Sequence, residues 1–299
     1  MAATGATGTL APMTPADMDG LVIGPISHVV DRERIAAFVE ATGDVPERWL
    51  ESAPPGYAAA LLFHVAGEFL WDPRIAEYVK TLIHVDQSFA YPSPIRPGDV
   101  VEITGTVDRV RERSGTYYLI FSANAAVGDR LVLESRSTFL MSNQPAGEPG
   151  ADRGEPPADA RATSDVPGKR SLPTDGGVDV VARSASRADL VRYGAATVDF
   201  NPLHWDHEAA RAAGLDGVVV HGLLLNAWLT QHAASFTEGE APVVSIKARF
   251  RNALRPNVAA ATTAAVDSRS GDEAKLSLQL TAGDATIVTA DATIRGVTP

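Results

Sequence analysis

The 299-residue chain has no cysteine, which excludes disulfides, thiolate metal sites and a cysteine nucleophile, and agrees with a reducing compartment. Aromatic residues are sparse at 6%, so the core must be assembled mostly from Ala, Val, Leu and Ile. No window approaches the ~20 apolar residues of a membrane span. The opening MAATGATGTLAPMTPADMDG lacks the basic start and apolar run of a secretion signal, so a cytoplasmic protein with a disordered first few residues is expected. Positive charge is also short: 26 Lys and Arg against 37 Asp and Glu leave a net charge of −11. That argues against a nucleic-acid or anionic-membrane surface, and an anionic small ligand would need a local basic patch.

The remainder is ordinary for a globular protein, with 45% hydrophobic and 21% charged residues. The length suits two domains. The stretch SNQPAGEPGADRGEPPADARATSDVPGKRSLPTDGG is crowded with Pro, Gly, Asp and Ser and cannot bury enough surface to fold alone. It divides the chain into an N-terminal lobe at 18–142, a linker at 143–176 and a C-terminal lobe at 177–299.

The two lobes repeat one order of signals. RIAAFVEATGD leads to the apolar run YAAALLFHVAGEFL and then to several alternating, strand-like stretches; DLVRYGAATVD, VVVHGLLLNAWLTQ and a second set of strands follow the same course. Ile95-Arg96-Pro97 matches Leu254-Arg255-Pro256, and Val107-Asp108 matches Val266-Asp267, both at an offset of 159. Thr42-Gly43-Asp44 matches Thr197-Val198-Asp199 at an offset of 155. An internal duplication in the α+β class is expected, with one long helix followed by an antiparallel sheet, twice.

Within the second lobe, TVDFNPLHWD gathers Asp199, Asn201 and His204 around Pro202. Proline restricts Asn201 to an extended conformation and so limits the path between Asp199 and His204. Asp206 reads as the N-cap of HEAARAAG, with Glu208 in its first turn and Gly214 as its stop. His204, Asp206 and His207 have metal-like spacing, but Asp206 is explained as a cap and no third ligand is evident, so no metal is expected. His221-Gly222 opens the second apolar helix, where free N–H groups and the positive dipole end point outward. Gly222 lets a carbonyl oxygen approach its N–H closely, an arrangement suited to a thioester oxyanion. An Asp and a neutral His on either side of one water can act together as acid and base. His221 is a pocket candidate, and a structural role is as well supported. His28, His64, His84 and His232 are expected to be packing or surface residues, and Asp44 a structural group.

At these residues the chain resembles a known family. YGAATVDFNPLHWDHEAARAAGLDGVVVHGLL is similar to the signature of the MaoC-like, (R)-specific or type 2 enoyl-CoA hydratases and 3-hydroxyacyl dehydratases. The resemblance is dense over about thirty residues and looser across nearly the whole chain. It implies a double hot-dog fold, Asp199 and His204 as the catalytic pair, Asn201 orienting the water or the histidine, and the Gly222 N–H as the oxyanion donor. It implies hydration of trans-2-enoyl thioesters or the reverse dehydration, with no cofactor beyond coenzyme A or phosphopantetheine as the substrate's carrier. The partners implied are the acyl thioester and an acyl carrier protein, in a homodimer or a pseudodimeric monomer.

Two departures stand out. The family has Gly before the catalytic Asp where this chain has Val198, a β-branched residue expected to intrude beside the reacting water and narrow the pocket. The first lobe continues from Asp44 as VPERW, with Pro46 and Trp49 where Asn and His are needed, so one active site per chain is implied. In SIKARFRN, period-two alternation places Lys247, Arg249 and Arg251 on one strand face, either solvated or a basic strip for coenzyme A or phosphopantetheine phosphates. Three other readings stay open: a hot-dog acyl thioesterase, a non-catalytic acyl-thioester-binding subunit, and a specialised biosynthetic dehydratase or isomerase.

Overall fold

The computed structural model describes residues 13–145, 148, 154–156, 163–174 and 176–297. The expectation for the first residues, and much of that for the 143–176 linker, lies outside them. Five strands, β1 (Val22–Val29), β2 (Thr81–Ala90), β3 (Val100–Arg113), β4 (Thr116–Val127) and β5 (Arg130–Ser142), belong to the first lobe together with α1 (Arg32–Thr42) and α2 (Ala58–Leu70). The second lobe contributes β6 (Asp179–Arg183), α3 (Arg187–Thr197), α4 (His207–Ala212), α5 (Gly222–Ala234), β7 (Val243–Phe250), β8 (Ala260–Ser270), β9 (Glu273–Ala282) and β10 (Ala285–Arg295). The strands form one antiparallel sheet in the order β1-β3-β4-β5-β2-β7-β10-β9-β8-β6.

That order is a palindrome of the two lobes, joined where β2 pairs with β7 from Asp86↔Arg249 to Ala90↔Ser245. Joining two five-stranded sheets at this seam removes an exposed edge from each. The duplication extends to irregularities. β3 shifts register between Val107 and Arg109, and β8 between Val266 and Ser268. In each bulge an aspartate accepts a serine hydroxyl from the next strand, Ser122 to Asp108 at 2.6 Å and Ser277 to Asp267 at 2.8 Å.

Each half-sheet wraps around one apolar helix, α2 on β1, β3 and β4, and α5 on β7 to β10. Both helices are rich in apolar residues and buried over most of their length, in α5 including the polar Asn226, Thr230, Gln231 and His232, the pattern of a helix enclosed by protein. The strands answer with strict alternation: Leu119, Phe121, Ala123 and Ala125 of β4, and Ala274, Leu276, Leu278 and Leu280 of β9, all face inward. Each buried leucine contributes roughly 1.5–3 kcal/mol. Helices α1 and α3 meet across the lobes, with the Phe38 and Tyr193 rings 6.1 Å apart.

The sequence reading missed β1 and β6, the strands that precede the first helix of each lobe. Gly24 and Pro25 interrupt the alternation in β1, and β6 has only five residues. Both are edge strands, where proline and short length are tolerated because one side of the ladder is unpaired. The second apolar helix starts at Gly222, where the His221-Gly222 pair placed it, and residues 218–220 precede it outside any helix or strand.

Candidate active site

Helix α3 delivers the first of the site residues. Ser186 and Asp189 form a reciprocal capping box at its start, and Val198 ends it in the left-handed conformation, φ 62° and ψ 18°. Gly43 ends α1 in the same way, φ 63° and ψ 39°. This turn reverses the chain and directs the next residue inward, so Asp199 and Asp44 are both buried. Gly194 clears the return path: a Cβ there would meet the Asp199 carbonyl oxygen at 3.1 Å.

Val198 corrects the expectation made for it. Its side chain is 38% exposed and borders a surface depression with Trp71 and Arg74, separate from the cavity beside Asp199. Glycine suits this position through its freedom at positive φ, and valine there strains the backbone by about 1–2 kcal/mol instead of narrowing the pocket.

Asn201 is extended ahead of Pro202, and its side-chain oxygen accepts the Leu203 N–H at 3.2 Å, capping a short 3-10 turn at Pro202–His204. That leaves the amide NH2 as the half able to serve the cavity that Asn201 lines. His204 Nδ1 lies 2.9 Å from the Val219 carbonyl oxygen. A carbonyl only accepts, so Nδ1 carries the proton and Nε2 of the neutral ring carries the lone pair. His221, the N-cap residue of α5, stacks on His204 with ring centroids 3.8 Å apart. Its Nε2–H donates to the Asp199 backbone carbonyl at 3.2 Å. Asp206 caps α4 by accepting the Glu208 and Ala209 N–H groups, as expected.

The apolar surroundings set the protonation states. Burial pushes the Asp199 carboxyl up to about 7, since its one backbone donor, Asn201 N–H, is 3.4 Å away. Burial also holds His204 down at about 4, and His221 well below the ordinary histidine value. Potential ligand atoms of Asp199, His204 and His221 all lie within 4.8 Å of one another, the third donor that the sequence did not reveal. The geometry suits proton transfer better than metal binding. Lone pairs on stacked imidazoles point along separate, nearly parallel planes, whereas a shared zinc ion must lie in the plane of both rings.

These groups head an apolar cavity of about 280 Å³. Gly222 opens α5 on its wall, and a Cβ there would face the Phe250 ring at 3.4 Å. The first lobe supplies the rest of the wall through Phe63, Leu70, Leu82, Ile83, His84 and Phe139. None of these carried a functional signal in the sequence, because an acyl-chain wall and a core use the same residue types. His84, expected to be packing or surface, lies against Phe139 and Phe250 and is held neutral by burial, down to about 4. The His28 and His64 rings lie 4.2 Å apart and tilted by 42°, and His232 bonds Thr262 and Asp179, so these three serve packing and structure.

The basic trio separates. Lys247 and Arg249 lie exposed in β7, opposite the inward-facing Ile246 and Ala248, with Lys247 bordering an outer concavity of the sheet. Arg251 follows the strand end, where alternation no longer applies, and lines the cavity with Asn252 and Ala253. The expectation of one strip is therefore corrected to one residue at the site. In the first lobe, the positions of Asp199, His204 and His221 are held by Asp44, Trp49 and Tyr57. Asp44 accepts its own neighbour Val45 N–H at 2.8 Å, and Tyr57 bonds His28 at 3.1 Å.

Comparison with known proteins agrees with this fold. Residues 169–284 match the MaoC like domain, and residues 17–134 match the FAS1-like dehydratase domain region. The second lobe belongs to the MaoC like domain family. It is 25% identical over 231 residues to 3-hydroxyacyl-thioester dehydratase X of Mycobacterium tuberculosis, covering 77% of this chain and 71% of that one. It is 32% identical over 100 residues to a UPF0336 protein of Streptomyces avermitilis, covering 29% of this chain and 67% of the other. Among solved structures, a MaoC-like dehydratase superposes with a TM-score of 0.76 at 18% identity, over 93% of this chain and 98% of that one. A Mycobacterium tuberculosis protein described as having a double hotdog fold gives 0.64 at 14% identity, over 93% and 96%. The MaoC-like chain has a double hot-dog fold, and among the described residues no helix is long and apolar enough to cross a membrane.

Proposed function

We propose that the protein interconverts trans-2-enoyl and (R)-3-hydroxyacyl thioesters by adding or removing water. The observation that carries this reading is the convergence of the Asp199 carboxyl and the His204 imidazole at the head of an apolar cavity that begins at the Gly222 N–H. The relative named 3-hydroxyacyl-thioester dehydratase X supports the reaction class.

The tautomer assigns the roles. In hydration, His204 Nε2 takes a proton from water as the water oxygen bonds to the β-carbon. The π electrons move toward the thioester, whose oxygen collects negative charge at the Gly222 N–H and the positive end of α5. Asp199, protonated below its raised pKa of about 7, gives its proton to the α-carbon. Dehydration retraces these steps, with Asp199 carboxylate removing the α-proton and protonated His204 releasing hydroxide as water. Between about pH 4 and 7 the pair holds one proton, and its two arrangements are the starting states for the two directions. Both proton transfers come from the chain's own residues, so no resident cofactor is assigned. Arg251 at the cavity mouth is the candidate contact for a coenzyme A or carrier-protein phosphate.

The test is loss of enoyl absorbance, with free thiol measured in parallel, on enoyl thioesters of several lengths and both carriers. Asp199→Asn and His204→Ala are each expected to lower turnover by at least 10²-fold. Thiol release without enoyl loss would replace this reading with thioester hydrolysis, and undiminished turnover in both variants would remove the pair from the chemistry. For the native chain, kcat/KM is expected to rise through about pH 4 as His204 loses its proton and to fall above about pH 7 as Asp199 does.

A further inference from the structure

One polar group next to this pair has no assigned task. Tyr193 projects from α3 and is completely buried, and its hydroxyl has no hydrogen-bond partner among the described residues. Its ring lies 4.9 Å from that of His221 and 6.1 Å from Phe38. At the offset relating α1 to α3, Phe38 is its counterpart, so the same packing position exists without the hydroxyl in the lobe that has lost the catalytic histidine. Packing alone is satisfied by phenylalanine, and an orphaned hydroxyl in a dry interior opposes folding.

Two acceptors are nearby. Asp199 lies next to the tyrosine, with its backbone carbonyl 3.2 Å from Nε2 of the same His221 ring that Tyr193 contacts. His221 Nδ1 is itself buried without a partner. The carboxyl has the greater need: ionised, it would face an apolar enclosure with one long backbone hydrogen bond, and charge-assisted bonds are the strong ones.

We propose that Tyr193 is a positioning residue whose side chain shifts to bring its hydroxyl into a hydrogen bond with Asp199 whenever that carboxyl ionises. The bond holds the carboxylate oriented toward the α-carbon during dehydration and is released when Asp199 takes up the proton. It makes the ionised form attainable near neutrality despite burial. This rests on the acid/base reading of Asp199. The titratable and charged groups around Asp199 are Tyr193 from α3, His204 from the 3-10 turn and His221 from the start of α5, with His84 of β2 and Arg251 beyond β7 lining the same cavity. Helix α2 brings Phe63 to the cavity and keeps its own His64 against His28.

A carboxyl-carbon NMR titration of the full chain, with the Asp199 resonance assigned through Asp199→Asn, tests this without substrate. Tyr193→Phe is expected to raise the Asp199 midpoint by about one pH unit and to move the alkaline limb of kcat/KM by the same amount. Fluorotyrosine at position 193, a stronger donor with the ring retained, should move both the other way and covers the case in which Tyr193→Phe does not fold. Unmoved midpoints in the folded variants would overturn the proposal and leave the hydroxyl to His221. Full turnover of Asp199→Asn would overturn the acid/base reading instead, and the NMR midpoint would still decide whether Tyr193 bonds the carboxyl.

Discussion

Asp199→Asn should make the protein more stable while disabling it, and the gain should depend on pH. Burial raises the Asp199 carboxyl from 3.8 to about 7. A carboxyl with a raised folded-state pKa binds its proton more tightly folded than unfolded. Its stability contribution is therefore complete below pH 3.8 and is lost as pH climbs to 7. At about 1.36 kcal/mol per pH unit, the interval amounts to about 4 kcal/mol, an upper figure for a group this deeply buried. Asparagine has the same shape and no charge to lose, so the variant is expected to match the native chain at pH 4 and exceed it by about 2–4 kcal/mol at pH 8. Urea unfolding of both proteins at matched pH measures the difference, and other titrating groups cancel in it. His204, depressed to about 4, acts in the opposite sense, losing stability as pH falls from 6.5. The two slopes offset each other in the native chain, and Asp199→Asn leaves only that of the histidine. A difference constant from pH 4 to 8, or a variant weaker at pH 8, would refute the claim that the carboxyl is desolvated.

Two further substitutions address positions where sequence and structure diverged. Val198→Gly relieves a β-branched residue at positive φ but loosens the unfolded chain, so a net gain of about 0.5–1 kcal/mol in urea unfolding is expected. Turnover should stay within about twofold, because the side chain lies outside the cavity; a tenfold change would restore Val198 to the pocket. Arg251→Ala should raise KM for coenzyme A thioesters by about tenfold, in line with loss of one charge-assisted bond of about 1.5 kcal/mol, whereas Lys247→Ala and Arg249→Ala should leave it unchanged. Equal effects from all three would reinstate the single basic strip.

The fold and the centre of the site were legible because they rest on local chemistry. Alternation in β4 and β9, two predominantly apolar helical runs, and matched Val-Asp pairs at one offset declared the duplicated architecture before any contact was known. Asp206 as a cap, Pro202 as a constraint and Gly222 as a helix start follow from backbone rules that operate over a few residues. Tertiary structure decided what depends on direction and enclosure. Val198 points outward because a left-handed turn precedes Asp199, and a letter string does not show which way that turn leaves a side chain. Tyr193 meets His221 only because the start of α5 comes beside α3 in space, with the two rings 4.9 Å apart. The cavity wall comes from the other lobe, and its phenylalanines and leucines look like core until the β2–β7 seam sets them opposite Asp199 and His204. Above all, the sequence named Asp199 and His204 as candidates, while burial raises the carboxyl to about 7 and holds the imidazole down at about 4.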